Sequence, residues 1–170
     1  MNLQKFENFF TEELYNELIN TARYLMQNGD YVFSTNARWN PGIVKDSFPI
    51  FMHGLNRESQ LFSDCVRQIE NKTKMIISDY QIMLYYWTRF SYIPWHTDEN
   101  HDGALTVYLN EEWQDDWGGY FLYKENKEIK AIVPKPNFAL LQQGGLHHAT
   151  TPVNLSGGIR ITLQTFLRKK

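Results

Sequence analysis

The chain has 170 residues, a length that suits one domain around one core, and its aromatic share of 15% favours β-structure and walled pockets. A net charge of −2, with Lys and Arg scattered apart from the final Arg168-Lys169-Lys170, argues against a dedicated nucleic-acid surface, which would concentrate basic residues on one face. No stretch is apolar over the length of a bilayer crossing, no basic segment leads into a long apolar run, and Cys65 is the sole cysteine; a cytoplasmic protein without disulfides is expected.

In chain order, Thr11 is suited to cap a helix with Glu12 and Glu13 in its first turn, near the positive end of the dipole. Leu14, Leu18, Ala22 and Leu25 continue it at helical spacing until Asn28-Gly29-Asp30. Residues 31–56 read as mixed, aromatic and loop-like, and Arg38 and Trp39 in RWNPG suggest a lid. Leu61, Cys65 and Ile69, widened by Phe62 and Val66, mark a second helix in which Cys65 is a packing residue.

From about Ser78 the texture changes to short β-branched and aromatic runs: YQIMLYYWTRF, ALTVYLN, GYFLYK, IKAIVP, FALLQQ and IRITLQTF. Turn material such as ENHDG, WGG, KENK, KPN and NLSGG separates them. The expected fold is mainly β with flanking N-terminal helices, a jelly roll, with a helical lead-in over about 1–77 and a β core over about 78–168.

Two clusters carry candidate chemistry. In PWHTDENHDG, His96 and Asp98 are separated by a single residue, so extended backbone turns both to one side. An imidazole and a carboxylate presented together offer two ligands to a divalent metal, although such a triplet alone also arises by chance on loops. A histidine of GGLHHATTPV can complete two His and one carboxylate, a facial set that leaves positions open on iron(II). Adjacent His147 and His148 point to opposite faces of a strand, so one of them at most serves a given pocket. Arg160 opens a strand with alternating apolar positions and there needs an anionic partner, either a carboxylate ligand or a protein Asp or Glu.

Taken together, a Tyr-bearing strand, SYIPWHTD, LTVYLNEEW, GG, HHATTPV and RITL resemble the iron(II)/2-oxoglutarate-dependent oxygenases, in particular the prolyl 4-hydroxylase-like branch, over about residues 80–167. The resemblance implies a double-stranded β-helix of the cupin-like kind whose mouth holds iron(II), with 2-oxoglutarate and O2 as cosubstrates. It implies His96 and Asp98 as metal ligands, and His148 as the third, since His148 and not His147 stands four residues before Pro152. Arg160 matches the residue that binds the far carboxylate of 2-oxoglutarate, and Tyr108 the tyrosine that shares it. Tyr86, ten residues before His96, matches a pocket-lining tyrosine, with Tyr85 the alternative if the register slips. Thr162 shares a face with Arg160 by strand parity and is expected to add a polar contact to the cosubstrate. The implied reaction is hydroxylation of an unactivated carbon in a peptide, free amino acid or small metabolite, with no nucleic acid or membrane partner. The aspartate at 98 argues against halogenation, which needs that ligand absent.

Three other readings fit parts of the pattern. A nucleic-acid demethylase would show a second arginine soon after Arg160, and Arg168 lies too far on. A jelly-roll binding module would not need the whole His, Asp, His and Arg set, and a zinc hydrolase would leave Arg160 without a role. His53 and His101 read as surface or loop residues, Glu99 and Asp102 as a solvated loop at the rim. Trp113 and Trp117 read as packing residues, and Trp95 as pointing away from the first ligand.

Overall fold

The computed structural model describes residues 2–28, 32–34 and 50–170, with only the backbone of 32–34. Arg38 and Trp39 lie outside the described residues. The first helix, α1 (Glu12–Asn28), starts where Thr11 Oγ1 accepts the Leu14 N–H at 3.4 Å, with Glu12 and Glu13 in its first turn. It buries Leu14, Tyr15, Leu18, Ile19 and Ala22, one helical face. The second, α2 (Gln60–Thr73), is capped by Ser59, whose Oγ accepts the Phe62 N–H at 3.1 Å. It stops at Lys74, which turns left-handed (φ 59°) and donates its N–H to the Glu70 carbonyl. Cys65 is wholly buried in its apolar stripe, and burial pushes the thiol up to about 12, which makes it inert packing.

Eleven strands are described: β1 (Leu3–Phe6), β2 (Val32–Ser34), β3 (Ile50–Gly54), β4 (Ile76–Trp87), β5 (Ile93–His96), β6 (Gly103–Tyr108), β7 (Phe121–Glu125), β8 (Glu128–Ile132), β9 (Ala139–Gln143), β10 (His148–Thr150) and β11 (Arg160–Arg168). They form a seven-stranded sheet in the order β1-β9-β6-β11-β4-β3-β2 and a four-stranded sheet in the order β5-β10-β7-β8. Every pairing is antiparallel.

Period-two alternation assigns the faces of the larger sheet. Ile82, Leu84 and Tyr86 of β4, Leu105 and Val107 of β6, Ala139 and Leu141 of β9, and Ile161 and Leu163 of β11 pack with α1 and α2 in one core. The intervening positions turn inward to the smaller sheet: Tyr108 and Leu140 pack with Phe121, Tyr123 and Ile132, while Tyr85 and Trp87 pack with Ile93 and Val153. The architecture is the expected jelly roll, two antiparallel sheets face to face with helices behind the larger one.

The lead-in is less helical than expected. β1, β2 and β3 all come from residues before 77 and join the larger sheet, β1 at one edge and β3-β2 at the other. β1 is short, with two exposed residues in its centre, and β3 is mostly half-buried, so neither shows the long alternation that marks the other strands. Both are recruited by pairing, β1 along β9 and β3 along β4.

Candidate active site

His96 ends β5 and His148 begins β10, and the antiparallel register sets the two directly opposite each other. Their rings lie 4.2 Å apart between centroids, and both residues are buried. Asp98, two residues beyond the end of β5, reaches back so that its Oδ1 is 3.9 Å from His96 Nε2 and its Oδ2 3.6 Å from His148 Nε2. One ligand atom from each residue lies within 4.8 Å of the others, a spacing that a single metal ion can bridge.

The protonation pattern suits a metal. His96 Nδ1 lies 2.8 Å from the Pro94 carbonyl and His148 Nδ1 2.8 Å from the Leu146 carbonyl. A carbonyl only accepts, so both Nδ1 atoms carry hydrogen and Nε2 is the atom each ring presents to the site. Burial, reinforced by neighbouring His96, holds His148 well below the ordinary histidine value, so the ring is neutral near pH 7. The loop that carries Asp98 packs onto Gly144, where a Cβ would come within 2.0 Å of the His101 carbonyl oxygen. Only a glycine fits that approach.

In the same cavity, Arg160 is 2% exposed. It makes no ion pair with a carboxylate among the described residues, its Nη1 donates to the Gly119 carbonyl, and its Nε has no hydrogen-bond partner. Its guanidinium carbon sits 4.3 Å from the Trp87 ring centroid and 6.0 Å from that of Tyr108. Burial lowers its pKa to about 10, which still leaves it charged near neutrality. The same burial raises the Tyr108 hydroxyl to about 12, so it keeps its proton and can donate. A buried cation without a carboxylate costs several kcal/mol.

The model of the 2OG-Fe(II) oxygenase superfamily matches residues 80–168. The chain belongs to that superfamily. It is an iron(II)- and 2-oxoglutarate-dependent dioxygenase that uses O2. No curated protein matches the sequence. In fold the oxygenase is similar to a prolyl-4-hydroxylase from Pseudomonas putida (15% identity, TM-score 0.76), with 99% of this chain and 93% of that one covered. A prolyl hydroxylase from Trichoplax adhaerens, solved with a hypoxia inducible factor peptide fragment, gives 13% identity and a TM-score of 0.81 over 99% and 84% of the chains. The viral collagen prolyl hydroxylase of Paramecium Bursaria Chlorella virus-1, solved with 2OG, gives 16% and 0.66 over 100% and 97%.

Two residues expected at the oxygenase cavity, Tyr86 and Thr162, do not line it. Tyr86 turns to the helical side, where its hydroxyl donates to the Ala22 carbonyl at 3.1 Å, and Tyr85 lines the cavity in its place. Counting back from His96 across an irregular loop shifts the parity by one, and parity decides the face. Thr162 does share the inner face of β11, but its Oγ1 accepts the Trp87 indole N–H at 3.0 Å and it does not line the cavity. His147 lies outside the cavity, its ring 5.2 Å from that of Trp95, which in turn carries Lys124 Nζ 5.0 Å above it. His101 stacks on Phe166 at 4.1 Å between centroids.

Other residues of the cavity went unnoticed in the sequence. Gln142 is buried, donates through Nε2 to Asp98 Oδ2 at 2.5 Å, and brings the same atom within 3.0 Å of His148 Nε2. Across the sheet, Thr106 Oγ1 donates to Gln164 Oε1 at 2.5 Å, and Trp87 and Phe121 wall the space. The available signal was parity: Gln142 and Gln164 are polar residues on the inward positions of otherwise apolar strands.

Proposed function

We propose that His96, Asp98 and His148 hold the iron, that Arg160 and Tyr108 hold the far carboxylate of 2-oxoglutarate, and that Tyr85 walls the cosubstrate. The observation that carries this reading is the meeting, in one cavity, of three ligand atoms within 4.8 Å and a buried arginine whose Nε lacks a partner. The donor set fits iron(II), with two neutral imidazoles and one carboxylate leaving coordination positions open. The arginine fits a dicarboxylate end. A zinc hydrolase would use the triad and leave Arg160 charged, buried and idle.

Iron(II) and 2-oxoglutarate supply the oxidative chemistry, in which O2 is divided between succinate and the hydroxylated product as CO2 is lost. The chain's own work is positioning. The carbonyls behind them hold the Nδ1 edges of His96 and His148 and so turn each Nε2 toward the site, and Gln142 steadies Asp98 through its carboxamide N–H. Trp87, Phe121 and Tyr85 wall the cavity and limit entry of water. The substrate we infer is an aliphatic carbon of a peptide or a small metabolite; likeness in fold to prolyl hydroxylases that differ widely in source supports a prolyl or comparable residue. Residues 1–77 and 78–168 act together as one oxygenase domain, the former backing the latter. The free, buried Cys65 suits a reducing compartment such as the cytoplasm.

The test is a substrate screen that follows succinate release above the uncoupled background, with products identified by mass. His148→Ala is expected to abolish iron-dependent turnover and metal binding, whereas His147→Ala retains most of both. Arg160→Ala is expected to keep metal binding and raise the 2-oxoglutarate requirement by 10-fold or more, roughly the 1.5–3 kcal/mol of a charged hydrogen bond. Zinc-dependent hydrolysis without succinate would overturn the reading.

A further inference from the structure

A guanidinium recognises a carboxylate with two parallel hydrogen bonds only if its plane is held at one angle. In this cavity the plane of Arg160 is set by its neighbours. Trp87 stands directly opposite Arg160 in the β4–β11 register and lays its ring 4.3 Å from the guanidinium carbon. Gly119 takes Nη1 on its carbonyl, so the opposite edge, with the unpartnered Nε, is left for a ligand. The indole is itself fixed, because its N–H donates to Thr162 Oγ1 at 3.0 Å and Thr162 is wholly buried.

We propose that Trp87 is a positioning residue for the cosubstrate, its ring face holding the Arg160 guanidinium in the plane that 2-oxoglutarate meets, with Thr162 fixing the ring. The proposal rests on the reading of Arg160 as the cosubstrate's anchor. Mere packing would ask only for volume at position 87. A charged group with no carboxylate beside it asks for more, namely the negative face of an aromatic ring in a desolvated setting. The Trp87–Thr162 hydrogen bond explains why an indole, with a donor at its edge, occupies the position. Thr162 thereby acts on 2-oxoglutarate through Trp87 rather than by touching it.

The experiment is calorimetric titration of 2-oxoglutarate into manganese(II)-loaded protein, with manganese(II) affinity measured separately. Trp87→Leu is expected to weaken 2-oxoglutarate about 10-fold or more, Trp87→Phe and Thr162→Val about 3-fold, from the loss or tilting of a cation–π contact. Manganese(II) affinity stays within about twofold in all three, because no metal ligand is touched. In turnover the change falls on KM for 2-oxoglutarate rather than on kcat. Parent-like 2-oxoglutarate affinity in Trp87→Leu would overturn the proposal, as would a joint fall in cosubstrate and metal affinity. Should Trp87→Leu fail to fold, unchanged affinity in both Trp87→Phe and Thr162→Val overturns it. Failure of the parent protein to bind 2-oxoglutarate would sink the oxygenase site itself and the proposal with it; binding by the parent with indifferent variants sinks the proposal alone.

Discussion

Tyr85 and Tyr86 are neighbours in sequence and opposites in consequence. Tyr85 faces the cavity with Trp87, and Tyr86 faces the helices, where it bonds to the carbonyl of Ala22. Tyr86→Phe removes one buried hydrogen bond across the sheet–helix interface, which typically contributes about 0.5–1.5 kcal/mol. Denaturant unfolding should report that loss, while KM for 2-oxoglutarate stays at the parent value. A raised KM with unchanged stability would return Tyr86 to the cosubstrate pocket. His147 and His148 divide in the same manner, one against Trp95 outside the cavity and one with its Nε2 beside Asp98. These pairs differ in how readable they are. The proline phrase after His148 supplied a marker of register by resemblance, whereas the irregular loop between Trp87 and Ile93 removed any such marker for the tyrosines.

At the scale of elements, the turn before β7 packs against Arg160 at one end of the cavity. Gly119 sits at φ 67°, and a Cβ there would come within 3.1 Å of both Cδ and Nη1 of Arg160. A left-handed alanine costs roughly 1–2 kcal/mol of backbone strain, and its methyl group would push the arginine off its carbonyl partner. Gly119→Ala is therefore expected to lower stability by about that amount and to weaken 2-oxoglutarate binding, with metal affinity retained; melting and calorimetry would check the two effects separately. The helices and long strands were legible because their apolar periods, Leu14-Leu18-Ala22 and Leu61-Cys65-Ile69 for α1 and α2, belong to single segments. β1 and β3 were not, because short strands owe their conformation to the partner they pair with rather than to their own pattern. Gln142 escaped notice for a related reason: its role depends on Asp98 and His148, and only the pairing of β9 into the larger sheet brings it to them.

For the whole molecule, α1 and α2 cover the outer face of the seven-stranded sheet, and the inner face closes on the four-stranded sheet around the cavity. No helix among the described residues is long and apolar enough to cross a membrane. Because the three candidate ligands come from β5, the loop after it and β10, a metal held by them would tie together parts of the smaller sheet. A ligand that binds only the folded state stabilises it by about 2.7 kcal/mol at 100 times its Kd. For a chain of this size each kcal/mol shifts Tm by roughly 2–4 °C. Saturating manganese(II) should thus raise Tm by about 5–10 °C, and His148→Ala should abolish the rise; an equal rise in that variant would place the metal elsewhere.

The sequence by itself carried the class of chemistry through resemblance: the H-x-D pair, the phrase around Pro152 and an arginine at the head of a strand, each weak alone, are local patterns that together match a family. It also determined which faces of the long helices and strands are apolar, since periodicity is a property of one segment. What it could not determine is which of two adjacent residues turns inward after an irregular loop, or which residues from distant strands share the cavity. Those depend on register and pairing, where a shift of one residue exchanges faces. Only the tertiary structure moved Tyr86 to the helical core, brought Gln142 to Asp98, and laid Trp87 against Arg160.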